Sequence, residues 1–204
     1  QEGMNPCSEI LNSPVVFDAD RWGLEKDWIP YNSNPEFDGF FLPLKFGLAN
    51  SINIMTAYIM HQYGPKPVVD MAKKMGVKSH MLAVPSICLG TFDLSVEEVA
   101  GAYSTFVNQG VYSEPIFITK IIDKQGVILE EFNTKTNEAL SDKTAGLMVN
   151  LLRGVVDGVY HPEVKTEYKT RGTGMSLRRS NSYNLKSELG GKTGTTQNYS
   201  DGWF

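Results

Sequence analysis

The chain has 204 residues, of which 41% are hydrophobic and 21% charged, and its formal net charge is −4 at pH 7. This length and hydrophobic content are sufficient for a globular domain that buries a real core. Acidic and basic residues are mixed along the chain, and the missing basic stripe argues against a nucleic-acid-binding surface.

The N-terminal half begins with irregular structure and continues with helices. Residues 1–45 are rich in Pro, Asn, Asp and aromatic residues, which predicts short strands and turns. The stretch LKFGLANSINIMTAYIMHQYG predicts a helix, a break near Asn50-Ser51 and a second helix closed by Gly64. PKPVVDMAKKMG predicts a further short helix that ends at Gly76.

The middle of the chain predicts a helix, a hairpin and another helix. Ser95-Val96-Glu97-Glu98 is a capping box that opens an amphipathic helix, and Gly110 ends that helix. IFITKIIDKQGVILEEF predicts two strands around the turn residues 123–126. Ser141 is expected to cap another helix, whose buried side holds Leu147, Met148, Leu151, Leu152, Val155 and Val156.

The C-terminal part is a polar, loop-rich segment over residues 157–189, followed by a final strand. The segment contains Gly172-Thr173-Gly174 and the cationic Leu177-Arg178-Arg179, which we interpret as a solvated loop. We expect GGKTGTTQNYSDGWF to form one strand that runs to Trp203-Phe204. Strands and helices do not alternate as βαβ units, so the expected fold is α+β, an antiparallel sheet packed with helices.

Cysteine and histidine spacing gives no metal or cofactor signal. Cys7 and Cys88 form no CxxC; a disulfide between them stays open, and unpaired thiols are the default expectation. The three histidines lack HxxH or HExxH spacing, so we expect no metal and no cofactor. The sequence contains neither a signal peptide nor an apolar run near the ~18 residues that span a bilayer.

Two short motifs carry the chemistry. Lys192-Thr193-Gly194-Thr195 offers a cation and short hydroxyl donors suited to a carboxylate, and Gly194 inside a strand suggests close approach of another molecule. Ser51-Ile52-Asn53 lies at the predicted helix break, where Ser51 is interpreted as a simple helix N-cap, as a fixed, proton-shuttling hydroxyl, or as both at once. A Lys-Thr-Gly triplet is one of three motifs of penicillin-binding proteins and serine β-lactamases.

With both motifs in family order, the chain resembles the transpeptidase domain of class A penicillin-binding proteins. The resemblance covers roughly residues 30–204, in LANSINIMTAYIMHQYG, in SVEEVAGAYSTFVNQGVYSEPIFITKIIDKQGVILEEF and in GGKTGTTQNYSDGWF, and it is nearest to Bacteroidetes-type members. It implies a penicillin-binding or serine β-lactamase-like transpeptidase fold. Residues 1–204 would be a single partial domain, incomplete at both ends, that begins after the nucleophile helix.

The family's nucleophile, a serine in Ser-x-x-Lys, is not found in this sequence. Ser141-Asp142-Lys143 is one residue too short, and Ser182 has Lys186 four residues later at the wrong place in the family order. In the family this motif precedes Ser-x-Asn. We therefore expect it on the N-terminal side of Gln1 in a longer protein, and we expect this chain alone to be inactive.

The resemblance implies the roles of the remaining site residues. Ser51 would relay protons towards the leaving amine, Asn53 would position the substrate amide and the lysines, and Lys192 would supply positive potential beside Ser51. Thr193 and Thr195 would hold the substrate carboxylate, and Gly194 would leave room for the acyl-D-alanine backbone. The implied partners are the D-Ala-D-Ala end of a peptidoglycan stem peptide and β-lactams. The implied location is the periplasmic face of the bacterial inner membrane, in a protein with an upstream anchor and glycosyltransferase domain.

Two other functions stay open at this point. One is a serine β-lactamase or D,D-carboxypeptidase relative, and the other is a non-catalytic β-lactam sensor or scaffold. The hairpin segment and the GTTQNYSDGWF flank favour the transpeptidase, since a deacylating enzyme would need a water-activating glutamate that the sequence does not place.

Overall fold

A computed structural model describes residues 3–165, 169–179, 183–195 and 202–204. Part of the last predicted strand, residues 196–201, and Ser182 lie outside these described residues. The chain divides into two compact units. One comprises Gln1–Pro65, Val84–Thr91 and Leu147–Phe204, and the other comprises Lys66–Ala83 and Phe92–Gly146.

The first unit is built from short antiparallel strand pairs and helices. The strand pairs are β1 (Glu9–Leu11) with β2 (Phe41–Pro43), β7 (Val159–Tyr160) with β8 (Thr170–Arg171), and β9 (Gly194–Thr195) with β10 (Gly202–Trp203). The helical elements are α1 (Ala19–Trp22), α2 (Leu44–Ala49), α3 (Asn53–Tyr63), α7 (Ser176–Arg179) and the 3-10 turns Pro35–Phe37 and Pro85–Leu89.

Helix α3 is buried on two sides, because apolar residues occupy more than one of its faces. On one side Met55 packs with Phe46 of α2 and Leu42 of β2 in a cluster that continues to Val164. On another side Ala57 and Met60 pack with Phe17 in a cluster against which Trp22, Trp28 and Ile87 also pack. Helix α3, which begins at Asn53, is therefore held by two cores.

Helix α6 (Asp142–Asp157) anchors the C-terminal segments of the first unit. Val155 and Val156 are fully buried, as the amphipathic pattern predicts. Backbone carbonyls of the helix also accept hydrogen bonds from outside it: the Gly174 N–H donates to Val155 O (2.9 Å) and the Gly191 N–H to Leu152 O (3.3 Å). The same helix thus fixes both the Gly172-Thr173-Gly174 loop and the turn before Lys192.

The second unit contains helix α4 (Pro65–Lys74), helix α5 (Val96–Val107) and two strand pairs. The first residue of α4, Pro65, belongs to the first unit. The pairs are β3 (Val111–Ser113) with β6 (Thr136–Glu138), and the hairpin β4 (Lys120–Ile122) with β5 (Ile128–Glu131). Its core holds Met75, Tyr112, Ala139 and Leu140. Gly76 has φ +89°, and a Cβ there would lie 2.1 Å from the Tyr112 ring, so packing as well as backbone geometry requires glycine.

Most predicted elements are confirmed: the helix break at Asn50-Ser51, the Ser95–Glu98 capping box, the hairpin at 123–126 and antiparallel strand pairing. One strand prediction is wrong. The final segment is not a single strand but contains two short strands, because β10 pairs back onto β9.

The interpretation of Leu177-Arg178-Arg179 as a solvated loop is also wrong. These residues form the end of α7, and Arg178 Nε donates to Asp157 Oδ1 at 3.0 Å. The charge is therefore used to tie α7 to the end of α6.

Cys7 and Cys88 are free thiols, and burial raises the pKa of Cys88 to about 11. Among the described residues, no helix has the length and apolar character to cross a membrane, and no cluster of metal-ligating side chains occurs.

The capping glutamate Glu98 does more than close the capping box. Its carboxylate accepts hydrogen bonds from the Ser95 N–H (2.9 Å), the Lys78 N–H (2.8 Å) and both the N–H (2.7 Å) and hydroxyl (2.9 Å) of Ser79. The Ser95 N–H, followed by the donors of Ser79 and Lys78, lowers the pKa of Glu98 to about 2 from its ordinary value of 4.5. The charged carboxylate thus joins residues 78–79 to the start of α5.

We expect Glu98→Gln to lower the thermal midpoint at pH 7, since a neutral amide accepts these hydrogen bonds less strongly. Because the pKa of Glu98 is lower in the folded state than in the unfolded state, its charge stabilises the fold above about pH 4.5. This stabilisation is lost as the pH falls through about 2. The gap between wild type and variant should therefore narrow from pH 5 to pH 2 in melts followed by circular dichroism. Glu97→Gln, an exposed neighbour on the same helix, is the control; an equal gap at all pH values would contradict this account.

Candidate active site

Ser51 occupies the left-handed position that ends helix α2. Its φ is +53°, its N–H donates to Leu48 O (3.2 Å), and the following Ile52 N–H donates to Gly47 O (2.9 Å). These two bonds are those of a Schellman motif, in which the left-handed residue is usually glycine. The N-cap of α3 is Ile52, so the interpretation of Ser51 as a helix N-cap is wrong.

A non-glycine residue in the left-handed region is strained by about 1 kcal/mol or more. Neither the Schellman bonds nor the helix ends need the serine side chain, because backbone atoms make both bonds. The hydroxyl is instead directed to a lysine far along the chain. The strain at Ser51 therefore marks the hydroxyl as the reason that serine occupies this position.

Lys192 supplies the partner. Its ammonium donates a hydrogen bond to Ser51 Oγ and another to the Thr193 carbonyl (2.8 Å). The turn before Lys192 is fixed on α6 by the hydrogen bond from the Gly191 N–H to Leu152 O, and Gly191 is buried. Burial lowers the pKa of the Lys192 ammonium below its ordinary value, which makes its neutral form more accessible. A hydroxyl held against such an amine is suited to accept and release a proton.

The two threonines and the glycine of the lysine motif differ in their surroundings. The Thr193 hydroxyl oxygen lies 2.6 Å from the Thr173 hydroxyl oxygen, a hydrogen-bond distance. Gly194 and Thr195 are exposed and pair with Trp203 and Gly202 of β10. A Cβ built at Gly194 would lie 3.5 Å from Trp203 Cβ, an ordinary contact, so packing against the described residues does not demand glycine there.

Asn53 is the first residue of α3, and its side chain is directed to a preceding loop. Its Nδ2 donates to Tyr31 O at 3.0 Å. The next N–H, that of Ile54, donates to Asn32 Oδ1 at 3.0 Å, which caps the helix from outside because Ile52 has no capping side chain. Asn32 in turn donates to the buried Asn12 Oδ1 (2.9 Å).

Of the six residues predicted for the site, the structure brings Ser51, Lys192 and Thr193 together through hydrogen bonds. In the described part of the chain, the amide of Asn53 donates to the loop at Tyr31 and to neither Ser51 nor Lys192. Sequence reasoning missed the roles of Asn32 and Thr173. For Thr173, the signal was a threonine between two glycines in a polar segment.

In comparison with known proteins, residues 11–203 match the family model of the penicillin binding protein transpeptidase domain. Penicillin-binding protein 1A of Aquifex aeolicus is 32% identical over the whole chain, and the match covers 25% of that protein. Penicillin-binding protein 1B of Vibrio cholerae is 29% identical over 87% of the chain and 21% of its own length. The chain therefore spans about a quarter of the length of these relatives.

A solved structure of a penicillin-binding protein also resembles this chain in its fold. The crystal structure of penicillin-binding protein 1A from Haemophilus influenzae superimposes with a TM-score of 0.79 at 25% identity, covering 96% of this chain and 32% of that one. The α+β fold and the family resemblance inferred from the sequence are thereby confirmed. The nearness to Bacteroidetes-type members stays a prediction from the sequence.

Two variants separate the strain at Ser51 from the loss of its hydroxyl. Ser51→Gly and Ser51→Ala both remove the hydrogen bond from Lys192, but only glycine relieves the left-handed backbone. We expect Ser51→Gly to exceed Ser51→Ala in free energy of unfolding by about 1 kcal/mol in urea denaturation. A glycine variant no more stable than the alanine variant would show that Ser51 is not strained.

Proposed function

Because this chain belongs to the penicillin-binding protein transpeptidase family, we propose that it forms part of a peptidoglycan D,D-transpeptidase whose attacking serine lies outside residues 1–204. The observation that carries the proposal is the hydrogen bond from Lys192 to Ser51. It joins the two family motifs across 141 sequence positions. A lysine ammonium held against the hydroxyl of a residue with a strained backbone is suited to proton transfer. Packing of the fold does not require such an arrangement.

The proposed reaction is acyl transfer in two steps. A serine in an upstream Ser-x-x-Lys attacks the penultimate D-alanine carbonyl of a stem peptide; an ester forms, the amide bond breaks and the terminal D-alanine leaves as an amine. The amine of a second stem peptide then attacks the ester, which forms the cross-link and returns the proton to the serine. A β-lactam enters the first step in place of the D-alanyl end and stays on the serine.

The residues of this chain would act on protons and on the substrate carboxylate. Ser51 passes a proton to the departing amine, and the Lys192 ammonium stabilises the Ser51 oxygen during this proton transfer. The hydroxyls of Thr193 and Thr195 bind the terminal carboxylate. The Thr195 N–H contributes half of an oxyanion hole, a type of donor worth about 3 kcal/mol in transition-state stabilisation.

The roles of Asn53 and Gly194 complete the proposal. Asn53 orients the substrate amide, and its own orientation is supported by the bond to Tyr31 O. Gly194 leaves the exposed strand β9 open to the acyl-D-alanine backbone, a role supported by the ordinary 3.5 Å contact that a Cβ there would make with Trp203. Lys192 and Thr193 lie beside the same strand.

The wider setting is also a proposal. Residues 1–204 would form a single partial transpeptidase domain, and the family match over residues 11–203 supports this. The whole protein would be membrane-anchored on the periplasmic side and would carry a glycosyltransferase domain upstream. Its partners would be stem peptides and β-lactams, within a cell-wall synthesis complex.

Labelling with a fluorescent penicillin tests the proposed function. We expect the full-length protein that contains this chain to be labelled on a serine upstream of Gln1, identified by peptide mapping, and the 204-residue chain alone to remain unlabelled. A stoichiometric label on the isolated chain, or on any of its serines in the full-length protein, would contradict the proposal.

Gly194→Ala in the full-length protein tests whether a ligand approaches strand β9 at Gly194. We expect its melting temperature to stay within error of the wild-type value, because among the residues that the structure describes the new methyl group meets only an ordinary contact with Trp203. Its labelling rate should fall roughly tenfold or more, since the methyl group would displace the ligand from strand β9. A wild-type labelling rate would show that no ligand approaches the strand at Gly194.

A further inference from the structure

Thr173 contacts both sides of the candidate site. Its N–H donates to Ala49 O (2.9 Å), the last residue of α2, two positions before Ser51. Its hydroxyl oxygen lies 2.6 Å from that of Thr193 in the lysine motif. A single residue therefore joins the helix end that presents Ser51 to the segment that presents Lys192.

The position of Thr173 is fixed by the helix beneath it. The Gly174 N–H donates to Val155 O at 2.9 Å, and Val155 is completely buried. A Cβ at Gly172 would lie 2.6 Å from the same carbonyl oxygen, a backbone atom that cannot move aside cheaply. The two glycines thus let the loop approach α6 closely, and they hold Thr173 at a set place against Thr193.

The number of hydrogens decides the direction of the bond between the two hydroxyls. Each threonine hydroxyl donates once and accepts up to twice, and a carboxylate only accepts. If Thr193 donates to a carboxylate, its single hydrogen is used, so the hydrogen between the two hydroxyls must come from Thr173. We infer that Thr173 is a positioning residue that fixes Thr193 as a donor to the substrate carboxylate, an inference that rests on the proposed function.

Two features of the pair favour this role. Thr173 is exposed and Thr193 is half-buried, so an incoming anion can reach the Thr193 hydroxyl without displacing buried atoms. The ammonium of Lys192 lies against the Thr193 carbonyl, which places a positive charge beside the same residue. A hydroxyl that accepts one hydrogen bond donates a stronger one, and bonds to an ionised acceptor gain most from this.

The test compares a penicillin with its methyl ester, which lacks the anionic carboxylate. Acylation rates of the full-length protein are measured for wild type, for Thr173→Val, which removes the hydroxyl, and for Thr173→Ser, which keeps it. We expect Thr173→Val to slow acylation by the acid about tenfold and to change the rate with the ester less than twofold. Thr173→Ser should restore most of the rate with the acid.

The outcomes separate this inference from the proposed function. A wild-type protein that neither compound acylates would overturn both. Equal slowing of acid and ester in Thr173→Val, or no slowing of either, would overturn the inference alone. Thr173→Ala, read by the same ratio of acid to ester, replaces the valine variant if that variant does not fold.

Discussion

The contact between the Lys192 ammonium and the Ser51 hydroxyl is the interaction on which the proposed function depends. The fold supports it from both sides. A Schellman turn holds Ser51 in a conformation that glycine would adopt more easily, and helix α6 holds the turn before Lys192. Burial lowers the pKa of the Lys192 ammonium below its ordinary value. Backbone strain and desolvation thus occur at the same place, as is typical of functional sites rather than of packing.

Hydrogen bonds from outside the motifs complete this arrangement. Asn32 caps helix α3 in place of the apolar Ile52, and the Tyr31 carbonyl holds the amide of Asn53. Thr173 joins the end of α2 to Thr193. In the proposed function, the family motifs would provide the reacting groups, and loops remote in sequence would set their orientation. Such a division of roles would explain why a short motif such as Ser-x-Asn needs a larger domain around it.

Sequence patterns predict those features that depend on interactions between residues close together in the chain. The Ser95–Glu98 capping box and the turn residues at 123–126 act within a few residues, and both predictions are confirmed. The same reasoning could not foresee the left-handed Ser51, because the sequence there lacks the usual glycine. It also missed Asn32 and Thr173, whose partners lie far along the chain. The sequence predicts one strand for the final segment, whereas the structure has two, because β propensity does not reveal where a strand reverses.

A crystal structure of the full-length protein acylated by a penicillin tests the central claim most directly. The account predicts that the acylated serine lies upstream of this chain, with Ser51 and Lys192 in hydrogen-bonding contact beside it and the ligand carboxylate on the Thr193 hydroxyl. An acyl-enzyme in which Ser51 and Lys192 are separated, or lie outside hydrogen-bonding reach of the ligand, would contradict it.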